Sequence, residues 1–478
     1  MNKIKFLLGN KLTEIDFSVN KDLNTNTTVL NYLRNLPGRK GVKEGCAEGD
    51  CGACTVVLAE LDSDNQLNYK AYNSCLLFLP VLHGKQLLTV EDLADNQVLH
   101  PVQQAMVDLD GSQCGYCTPG FVMSIFGIYK NYDNATDEQI LDALTGNLCR
   151  CTGYRPIIEA TKKSLEIKRK DKFDENKTEV INILKDILSE NSEIEINTGN
   201  YKYFLPNGIN KALELIKKYP KATLINGSTD IALKVTKRKE DIFEIIDISA
   251  ITELKNITET DTEYIIGAGV TLEQLKIFSA DKIPALNKML SVFGSKQVRN
   301  KATIGGNIGT ASPIGDISMT LMAHNSIVEY GAENNSKIPL YKFITGYRQT
   351  ILSKGEIIKN VIIPKNELEN IIKSYKVSKR KDLDISTISA AFNLKLNNDN
   401  TVNEIIIAFG GMSAMTRRAT KIEDFLKGKI WNENTLEEAG NIINEEFTPI
   451  SDARSSDEAR NLMAKNLLIK FWFESQNK

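Results

Sequence analysis

Cysteine is absent from residues 152–478, although the chain holds eight cysteines in all. Histidine is scarce, with three residues, and no stretch approaches the roughly 18 apolar residues of a membrane span. Acidic and basic residues nearly cancel, for a formal net charge of −2, which gives no reason to expect binding to nucleic acid or to a membrane. With 42% apolar and 25% charged residues, the 478-residue chain has the composition of an ordinary globular protein. Its length predicts several domains.

The first residues could be mistaken for a secretory signal, because lysines precede a short apolar run. That run stops at Gly9-Asn10, which is too early for such a signal. Ile4, Phe6 and Leu8 alternate with polar residues, so the sequence predicts a hairpin that turns at Gly9-Asn10. Without an export signal, we expect a cytoplasmic protein whose cysteines are reduced and available as metal ligands. The alternative is that the cysteines form four disulfides, which their even number allows.

Four cysteines follow the spacing C-x4-C-x2-C with a fourth after a gap, at Cys46, Cys51, Cys54 and Cys75. This is the plant-ferredoxin spacing of one [2Fe-2S] cluster. Glycines between the ligands permit the tight turns that aim backbone N–H groups at sulfur. The hairpin, a helix over residues 29–33 with Thr27 or Thr28 as its cap, and a strand after Cys54 together predict a β-grasp fold. The alternative is a structural zinc site, since four thiolates also satisfy Zn²⁺.

The other four cysteines form C-x2-C and C-x-C in a segment of helical periodicity, at Cys114, Cys117, Cys149 and Cys151. We predict that Thr118 is the N-cap of a helix and Pro119 its first residue. Cys117 would then precede a helix N-terminus, where the dipole favours a thiolate. A second helix over residues 137–144 opens with a capping box and leads to Cys149. Two loops at adjacent helix ends could therefore bring four sulfurs together.

Residues 166–198 are rich in Lys, Glu, Asp and Asn, which predicts a linker with one amphipathic helix at 180–188. Beyond it, strand and helix signals alternate. Residues 224–231 read as strand, glycine turn and helix, an arrangement that presents N–H groups to a phosphate. The segment 265–270 begins like a dinucleotide fingerprint but lacks the third glycine, so we interpret it as a strand end with a tight turn.

The segment 302–316 is a run of small and hydroxyl residues that suits a backbone approaching a pyrophosphate. Asp316 could accept a hydrogen bond from a sugar hydroxyl there. The basic run 376–384 is a further candidate. A solvated loop is its ordinary interpretation.

The motifs GCAEGDCGACTVVL (45–58), QCGYCTPG (113–120) and GNLCRCTGYRP (146–156) resemble the iron–sulfur domains of the xanthine dehydrogenase and aldehyde oxidase family of molybdenum hydroxylases. LINGSTDI (224–231), ATIGGN (302–307) and SPIGD (312–316) resemble the flavin domain of the same family. The resemblance implies an α+β multidomain chain. Its expected parts are a plant-type β-grasp [2Fe-2S] ferredoxin domain at 1–88, a helical [2Fe-2S] domain at 89–165, a linker at 166–198, a VAO/PCMH-type FAD-binding domain at 199–364, and a CO-dehydrogenase-flavoprotein-like α+β domain at 365–478.

By this resemblance, the eight cysteines ligate two [2Fe-2S] clusters, and a further set of residues binds FAD. The pyrophosphate would be cradled by residues 224–231 and 303–307, and Gln113 would touch the molybdopterin. Asp316 would hold the ribose or ribityl chain. The expected FAD-binding residues are Leu224, Ile225, Asn226, Gly227, Ser228, Thr229, Asp230, Ile231, Phe293, Thr303, Gly305, Gly306, Asn307, Asp316, Ile358 and Lys376. Phe293 and Ile358 would flank the adenine end, and Lys376 would lie near the isoalloxazine.

The family's molybdenum domain finds no counterpart in this sequence, so the resemblance implies that molybdopterin and the hydroxylating residues lie on a separate large subunit. We expect an (αβ)2 heterotetramer that oxidises hypoxanthine and xanthine to urate. Electrons would pass from molybdenum to the helical-domain cluster, the ferredoxin-like cluster, FAD and finally NAD⁺. In the family, the region of residues 376–384 is a mobile loop that influences whether NAD⁺ or oxygen is the acceptor.

Three alternatives stay open. The same architecture could serve a hydroxylase of aldehydes, nicotinate or another N-heterocycle. The chain could also be a flavin–iron–sulfur reductase without molybdenum. The third is a zinc-stabilised interaction module without catalytic function.

Overall fold

The computed structural model describes residues 2–190 and 192–476. The strands in chain order are β1 Lys3–Leu8, β2 Lys11–Asp16, β3 Thr55–Leu61, β4 Leu67–Asn73, β5 Gln86–Leu88, β6 Ile194–Thr198, β7 Tyr201–Leu205, β8 Thr223–Ile225, β9 Glu244–Asp247, β10 Ile257–Glu259, β11 Glu263–Gly267, β12 Ile327–Gly331, β13 Asn335–Pro339, β14 Ile344–Gly346, β15 Gln349–Thr350, β16 Ile357–Pro364, β17 Ile371–Val377, β18 Ile388–Leu396, β19 Val402–Gly410 and β20 Arg417–Arg418.

The helices in chain order are α1 Val29–Asn35, α2 Pro101–Asp108, α3 Thr118–Asn131, α4 Asp137–Leu144, α5 Arg155–Glu166, α6 Lys172–Glu175, α7 Lys177–Glu190, α8 Ile209–Lys218, α9 Ala232–Thr236, α10 Leu272–Ser279, α11 Pro284–Ser291, α12 Lys296–Arg299, α13 Ile304–Thr310, α14 Asp316–Ala323, α15 Leu340–Phe343, α16 Thr420–Leu426, α17 Glu433–Glu446 and α18 Asp457–Ser475. The chain divides into two compact units. The first comprises residues 1–251 and 294–302, and the second comprises residues 252–293 and 303–478.

The first unit opens with a mixed five-stranded sheet of order β2-β1-β5-β3-β4. β1 pairs antiparallel with β2 and parallel with β5, and the turn at Gly9-Asn10 confirms the predicted hairpin. Thr28 caps α1 by accepting a hydrogen bond from the N–H of Asn31, as one of the two predicted caps would. Val29 and Leu33 of α1 are buried in the core beneath the sheet. This sheet with one packed helix is the expected β-grasp fold.

Helices α2–α5 form the next part of the first unit. The capping box predicted for α4 is present, because the Thr136 side chain accepts from the N–H of Gln139 and the Gln139 side chain accepts from the N–H of Thr136. The N-cap predicted for α3 is wrong by one residue. Thr118 is the first helical residue, and Cys117 holds the cap position with φ −84° and ψ −15° and makes no side-chain capping bond.

The segment predicted as a linker, residues 166–198, contains two helices, α6 and α7, and the strand β6, which pairs with β7. The amphipathic helix expected at 180–188 is confirmed as part of α7. Its buried side chains Val180, Leu184 and Ile187 pack in one cluster with Leu7 of β1. These residues recur at helical spacing, so α7 has one apolar face even though the segment is highly charged overall. That face docks the segment on the sheet.

A second sheet of the first unit has the order β6-β7-β9-β8, with β7, β9 and β8 parallel. The buried Tyr203 of β7 donates a hydrogen bond of 2.6 Å to the Asp247 carboxylate of β9. Because β8 ends at Ile225, the sheet sets the start of the segment 224–231.

The second unit contains an antiparallel sheet of order β10-β11-β16-β12-β13 and another of order β17-β18-β19-β20. β11 ends at Gly267, which confirms the strand end expected for the segment 265–270. The core of the second sheet is aromatic, with Phe392 of β18 stacked on Phe471 of α18 at a centroid distance of 4.7 Å. The glycine-rich segment after residue 302 forms α13, and Asp316 begins α14.

Candidate functional site

We call residues 45–54, together with the turn Ser74–Leu76 that carries Cys75, the first cysteine loop. This loop surrounds the sulfur of Cys46 with backbone donors. The N–H groups of Glu48 and Asp50 lie 3.4 Å from the Cys46 Sγ, and that of Cys51 lies at 3.3 Å. Gly49 adopts a φ of +81°, the left-handed conformation that this tight wrap requires. Hydrogen bonds from the Cys51 thiol and from these N–H groups lower the pKa of Cys46 to about 5. A thiolate is the form of cysteine that binds metals.

The four sulfurs of the first loop lie in two pairs. The Sγ atoms of Cys54 and Cys75 are 3.3 Å apart, and the two residues are 2% and 1% exposed. The Cys46 and Cys51 thiols hydrogen-bond each other. In the buried pair, the hydrogen bond between the two sulfurs lowers the pKa of Cys54 and raises that of Cys75.

The second cysteine loop comprises residues 112–117, before α3, and residues 145–154, between α4 and α5. In it, the Cys117 and Cys149 thiols hydrogen-bond each other, and so do the Cys114 and Cys151 thiols. Cys114 and Cys151 are exposed, whereas Cys117 and Cys149 are half-buried. In residues 2–190 and 192–476, no group of three or more His, Cys, Asp or Glu side chains could hold a metal ion. The pairwise arrangement fits a cluster of two irons that takes four cysteines, two on each iron.

The prediction that a helix N-terminus favours a thiolate at Cys117 is wrong. Burial, together with the hydrogen bond to Cys149, raises the pKa of Cys117 to about 12. Cys117 does precede the N-terminus of α3, as predicted.

Two residues beside Cys149 were missed by the sequence reasoning. The N–H and hydroxyl of Thr152 lie 3.4 and 3.2 Å from the Cys149 Sγ. Burial opposes ionisation of Cys149, but these bonds outweigh it and lower its pKa. Tyr154 stands at a φ of 67°, and its hydroxyl oxygen accepts from the N–H of Cys149 at 3.1 Å. The motif CRCTGYRP carried both residues, but their contacts depend on a turn that the spacing does not reveal. Gln113 is exposed.

Within the first unit, the segment 224–231 lies against the first cysteine loop. A Cβ on Gly227 would stand 2.4 Å from the Lys301 carbonyl oxygen, so this close approach requires glycine. Ser228 has a φ of 57°, and a left-handed residue in a glycine turn is typical of anion-binding backbone nests. The Ser228 hydroxyl donates to the carbonyl of Leu76 at 3.3 Å, and Leu76 directly follows Cys75.

The remaining residues predicted to bind FAD lie in the second unit. Thr303 caps α13 by accepting from the N–H of Gly306 at 3.1 Å. A Cβ on Gly305 would stand 2.6 Å from that of Ala268, so the start of α13 packs tightly on the turn after β11. Gly306 is exposed, which leaves the first turn of α13 accessible. Ile358 is buried near Gly309 of α13, and Phe293 and Asn307 are half-buried.

The second unit brings Asp316 and Lys376 together. The Asp316 carboxylate pairs with the Lys376 Nζ at 3.1 Å and accepts from the Ser386 hydroxyl at 2.7 Å. The Lys376 ammonium also donates to the carbonyl of Val292 at 3.2 Å. Asp316 and the Lys376 side chain are both at least nine-tenths buried, so each neutralises a charge that would otherwise be buried alone. Within the second unit, the close approach at Gly305 and this buried polar cluster fit part of a site for FAD.

Four family models match the chain in succession. A 2Fe-2S iron–sulfur cluster binding domain matches residues 16–79, a [2Fe-2S] binding domain matches 89–162, an FAD binding domain in molybdopterin dehydrogenase matches 199–366, and a CO dehydrogenase flavoprotein C-terminal domain matches 373–475.

Among curated proteins, the chain is 31% identical to a xanthine dehydrogenase of Emericella nidulans, over 93% of this chain and 36% of that protein. It is 29% identical to aldehyde oxidase 3 of Mus musculus, over 98% of this chain and 39% of that protein. The chain therefore spans little more than a third of the length of these relatives. A carbon monoxide dehydrogenase from Hydrogenophaga pseudoflava that lacks the Mo-pyranopterin moiety shares the fold, with a TM-score of 0.54 and 23% identity over 57% of this chain and 95% of that one.

Proposed function

Because this chain belongs to the molybdenum hydroxylase family, we propose that it is the iron–sulfur and FAD electron-transfer subunit of a xanthine dehydrogenase. Its partner would be a large subunit that carries molybdopterin and oxidises hypoxanthine and xanthine to urate. The two would form an (αβ)2 complex in the cytoplasm, where the eight free cysteines stay reduced until they bind iron. When bound, the clusters carry single electrons and FAD delivers them in pairs, as a hydride, to NAD⁺.

One observation carries the direction of electron flow in this proposal. The Ser228 hydroxyl bonds to the carbonyl that follows Cys75, so the segment proposed to bind FAD contacts the first cysteine loop. The second loop instead exposes Cys114 and Cys151 to solvent. The first cluster would therefore serve the flavin of this chain, and the second would face the molybdenum partner.

The chain's own residues have separate roles in the proposed FAD site. In the first unit, Gly227 lets the backbone approach closely, and Ser228 orients the turn. In the second unit, Lys376 and Ser386 hold the Asp316 carboxylate in place, where it would accept from a sugar hydroxyl. The same ion pair holds the Lys376 ammonium in place beside the proposed flavin.

NAD⁺ as acceptor is supported by the basic residues 379–381, which begin three positions after Lys376. All three are exposed. Arg380 is steadied by Asp384, whose carboxylate accepts from the Arg380 N–H at 2.9 Å. Cations in this loop would attract the phosphates of a dinucleotide.

The test is purification of the native complex, with iron, molybdenum and flavin measured against protein. We expect a co-purifying large subunit, four irons and one FAD per chain, and xanthine-dependent reduction of NAD⁺. A complex that holds these cofactors but oxidises an aldehyde or another N-heterocycle instead of purines would contradict the proposed substrate. The similarity to an aldehyde oxidase makes that the main alternative. Flavin and iron without a molybdenum subunit would indicate a stand-alone reductase. Zinc without flavin or iron would indicate an interaction module and refute the proposal.

A further inference from the structure

Asn147 is a buried side chain that joins the two cysteine loops of the first unit. It follows α4 and precedes Cys149 by two residues, and it is 2% exposed. Its Nδ2 donates to the carbonyl of Gly52 at 3.1 Å and to the Thr55 hydroxyl at 3.2 Å. Gly52 lies in the first loop between two cysteine ligands. An amide of the second loop thus holds a turn of the first.

Two further buried residues set the orientation of this amide. The Asn147 Oδ1 accepts from the Ser124 hydroxyl at 2.6 Å and from the Gln297 Nε2 at 2.9 Å. The Gln297 Nε2 also donates to the Ser124 oxygen at 3.0 Å. Because one end of an amide only accepts and the other only donates, these contacts direct the Asn147 donors toward Gly52. The three side chains are each at least 98% buried.

The backbones of the two loops also meet directly. The N–H of Leu148 donates to the carbonyl of Cys51 at 3.0 Å. A Cβ on Gly52 would stand 2.0 Å from the carbonyl oxygen of Gly146, so no side chain fits between the loops. This contact links a ligand of the first set to the residue before Cys149. Any shift of the Gly52 turn would lengthen it.

We propose that Asn147, oriented by Ser124 and Gln297, is a positioning residue that fixes the separation and electronic contact of the two iron–sulfur clusters. This inference rests on the proposed function, since it needs both cysteine sets to hold clusters. The exchange concerned is transfer of one electron from the reduced cluster of the second set to the oxidised cluster of the first. One cluster is oxidised as the other is reduced, no covalent bond breaks and no proton moves.

Asn147→Asp in the full-length chain, with both clusters incorporated, is the decisive variant. It keeps the shape and the two acceptor contacts but replaces the Nδ2 donors with an acceptor that faces the Gly52 carbonyl. Two facing acceptors repel, so the turn and the Leu148–Cys51 bond must shift. We expect the iron content to persist while the magnetic splitting between the reduced clusters in electron paramagnetic resonance is lost. Electron equilibration between the clusters after pulse reduction should slow about tenfold or more, as for other residues outside the ligand shell.

Asn26→Asp is the matched control. Asn26 is 3% exposed and donates to the carbonyl of Ile242 at 2.9 Å, while its Oδ1 accepts from the N–H of Ile242 at 3.1 Å. The same substitution there introduces the same buried charge and loses a similar donor, but it touches neither cysteine loop. Splitting and electron equilibration should therefore match those of the wild type.

Ser124→Ala tests the orientation of the amide with a milder change. It removes one contact to the Asn147 Oδ1, and we expect a smaller loss of splitting in the same direction. The inference is overturned if Asn147→Asp keeps wild-type splitting and equilibration. It is also overturned if both Asn147→Asp and Ser124→Ala lose the clusters outright, because the three residues would then serve folding only. A wild-type chain that shows no pair of [2Fe-2S] signals would instead refute the proposed function.

Discussion

The two cysteine loops of the first unit carry four thiols each, in contrasting surroundings. In the first loop, Cys54 and Cys75 are almost completely buried. In the second, Cys114 and Cys151 are exposed to solvent. Both loops join their sulfurs in pairs, so the chemistry they offer to iron is alike. The difference in burial shows that the first loop encloses two of its thiols, whereas the second presents two of its thiols to solvent.

The loops also stabilise their thiolates by different means. The Cys46 sulfur accepts hydrogen bonds from three N–H groups of its own loop. The Cys149 sulfur accepts hydrogen bonds from the hydroxyl and the N–H of one residue, Thr152. Hydrogen bonds to cluster sulfurs and exposure to solvent both set the reduction potential. Two clusters with the same ligands are therefore expected to differ in potential.

The largest contrast between the loops should appear when a ligand is removed. Cys54→Ser and Cys114→Ser should each lose one cluster, and about half of the iron, because each cluster needs four thiolates. In the metal-free chain, Cys54→Ser should also lower the free energy of unfolding by about 1–3 kcal/mol, since a hydroxyl replaces a thiol in the core. Cys114→Ser should leave unfolding nearly unchanged. Iron analysis and urea unfolding give the two readouts.

Equal losses of stability in Cys54→Ser and Cys114→Ser would contradict the difference in burial between the two loops. That result would mean that the second loop is enclosed as tightly as the first. Loss of both iron signals in either variant would show instead that the two clusters assemble as one unit.

The sequence predicted the parts of this molecule that depend on neighbouring residues. Thr28 caps α1 and the capping box opens α4 as expected, because a cap needs only a side chain within three residues of the N–H it accepts from. The cysteine spacing predicted which thiols meet in each loop. The cap of α3 was misplaced by one residue, since Thr118 and Cys117 both fit the local pattern before proline.

What the sequence could not predict depends on distant contacts and on burial. Asn147 lies 23 residues from Ser124 and 150 from Gln297, so no local pattern marks the three as a cluster. The raised pKa of Cys117 reflects burial, whereas the sequence indicated only its position before a helix. The sequence predicted the apolar face of α7. It did not predict that this face packs on β1, because the segment as a whole is highly charged.

A second test compares the access of reagents to the two loops. Iodoacetamide added to the native, metal-free chain should modify Cys114 at least about tenfold faster than Cys54 or Cys75. The buried thiols react only after local opening, and an opening free energy of about 1.4 kcal/mol already slows modification tenfold. Peptide mass mapping at timed intervals measures each rate. In denaturant the rates should converge. Similar native rates at Cys54 and Cys114 would contradict the enclosed first loop.

The smallest expected effect concerns a lysine that contacts the first loop. The Lys237 ammonium, just after α9, donates to the carbonyl of Cys46 at 3.1 Å and pairs with Glu48 at 3.2 Å. Its positive charge favours the reduced, more negative cluster. An exposed ion pair contributes about 0.2–1 kcal/mol, so Lys237→Met should lower the midpoint potential of the first cluster by about 10–40 mV. Redox titration followed by electron paramagnetic resonance measures both clusters in one sample.

Lys237→Arg should restore the potential, because it returns the charge. Lys239→Met is the matched control, since Lys239 lies in the same segment and donates to the carbonyl of Thr236 rather than to the cysteine loop. Salt should reduce the shift, as expected for a half-exposed charge. A shift of equal size in both clusters would mean that Lys237 acts through the net charge of the chain. A shift confined to the first cluster would show that each loop sets its own potential, the first with charges of its own chain and the second with its open face.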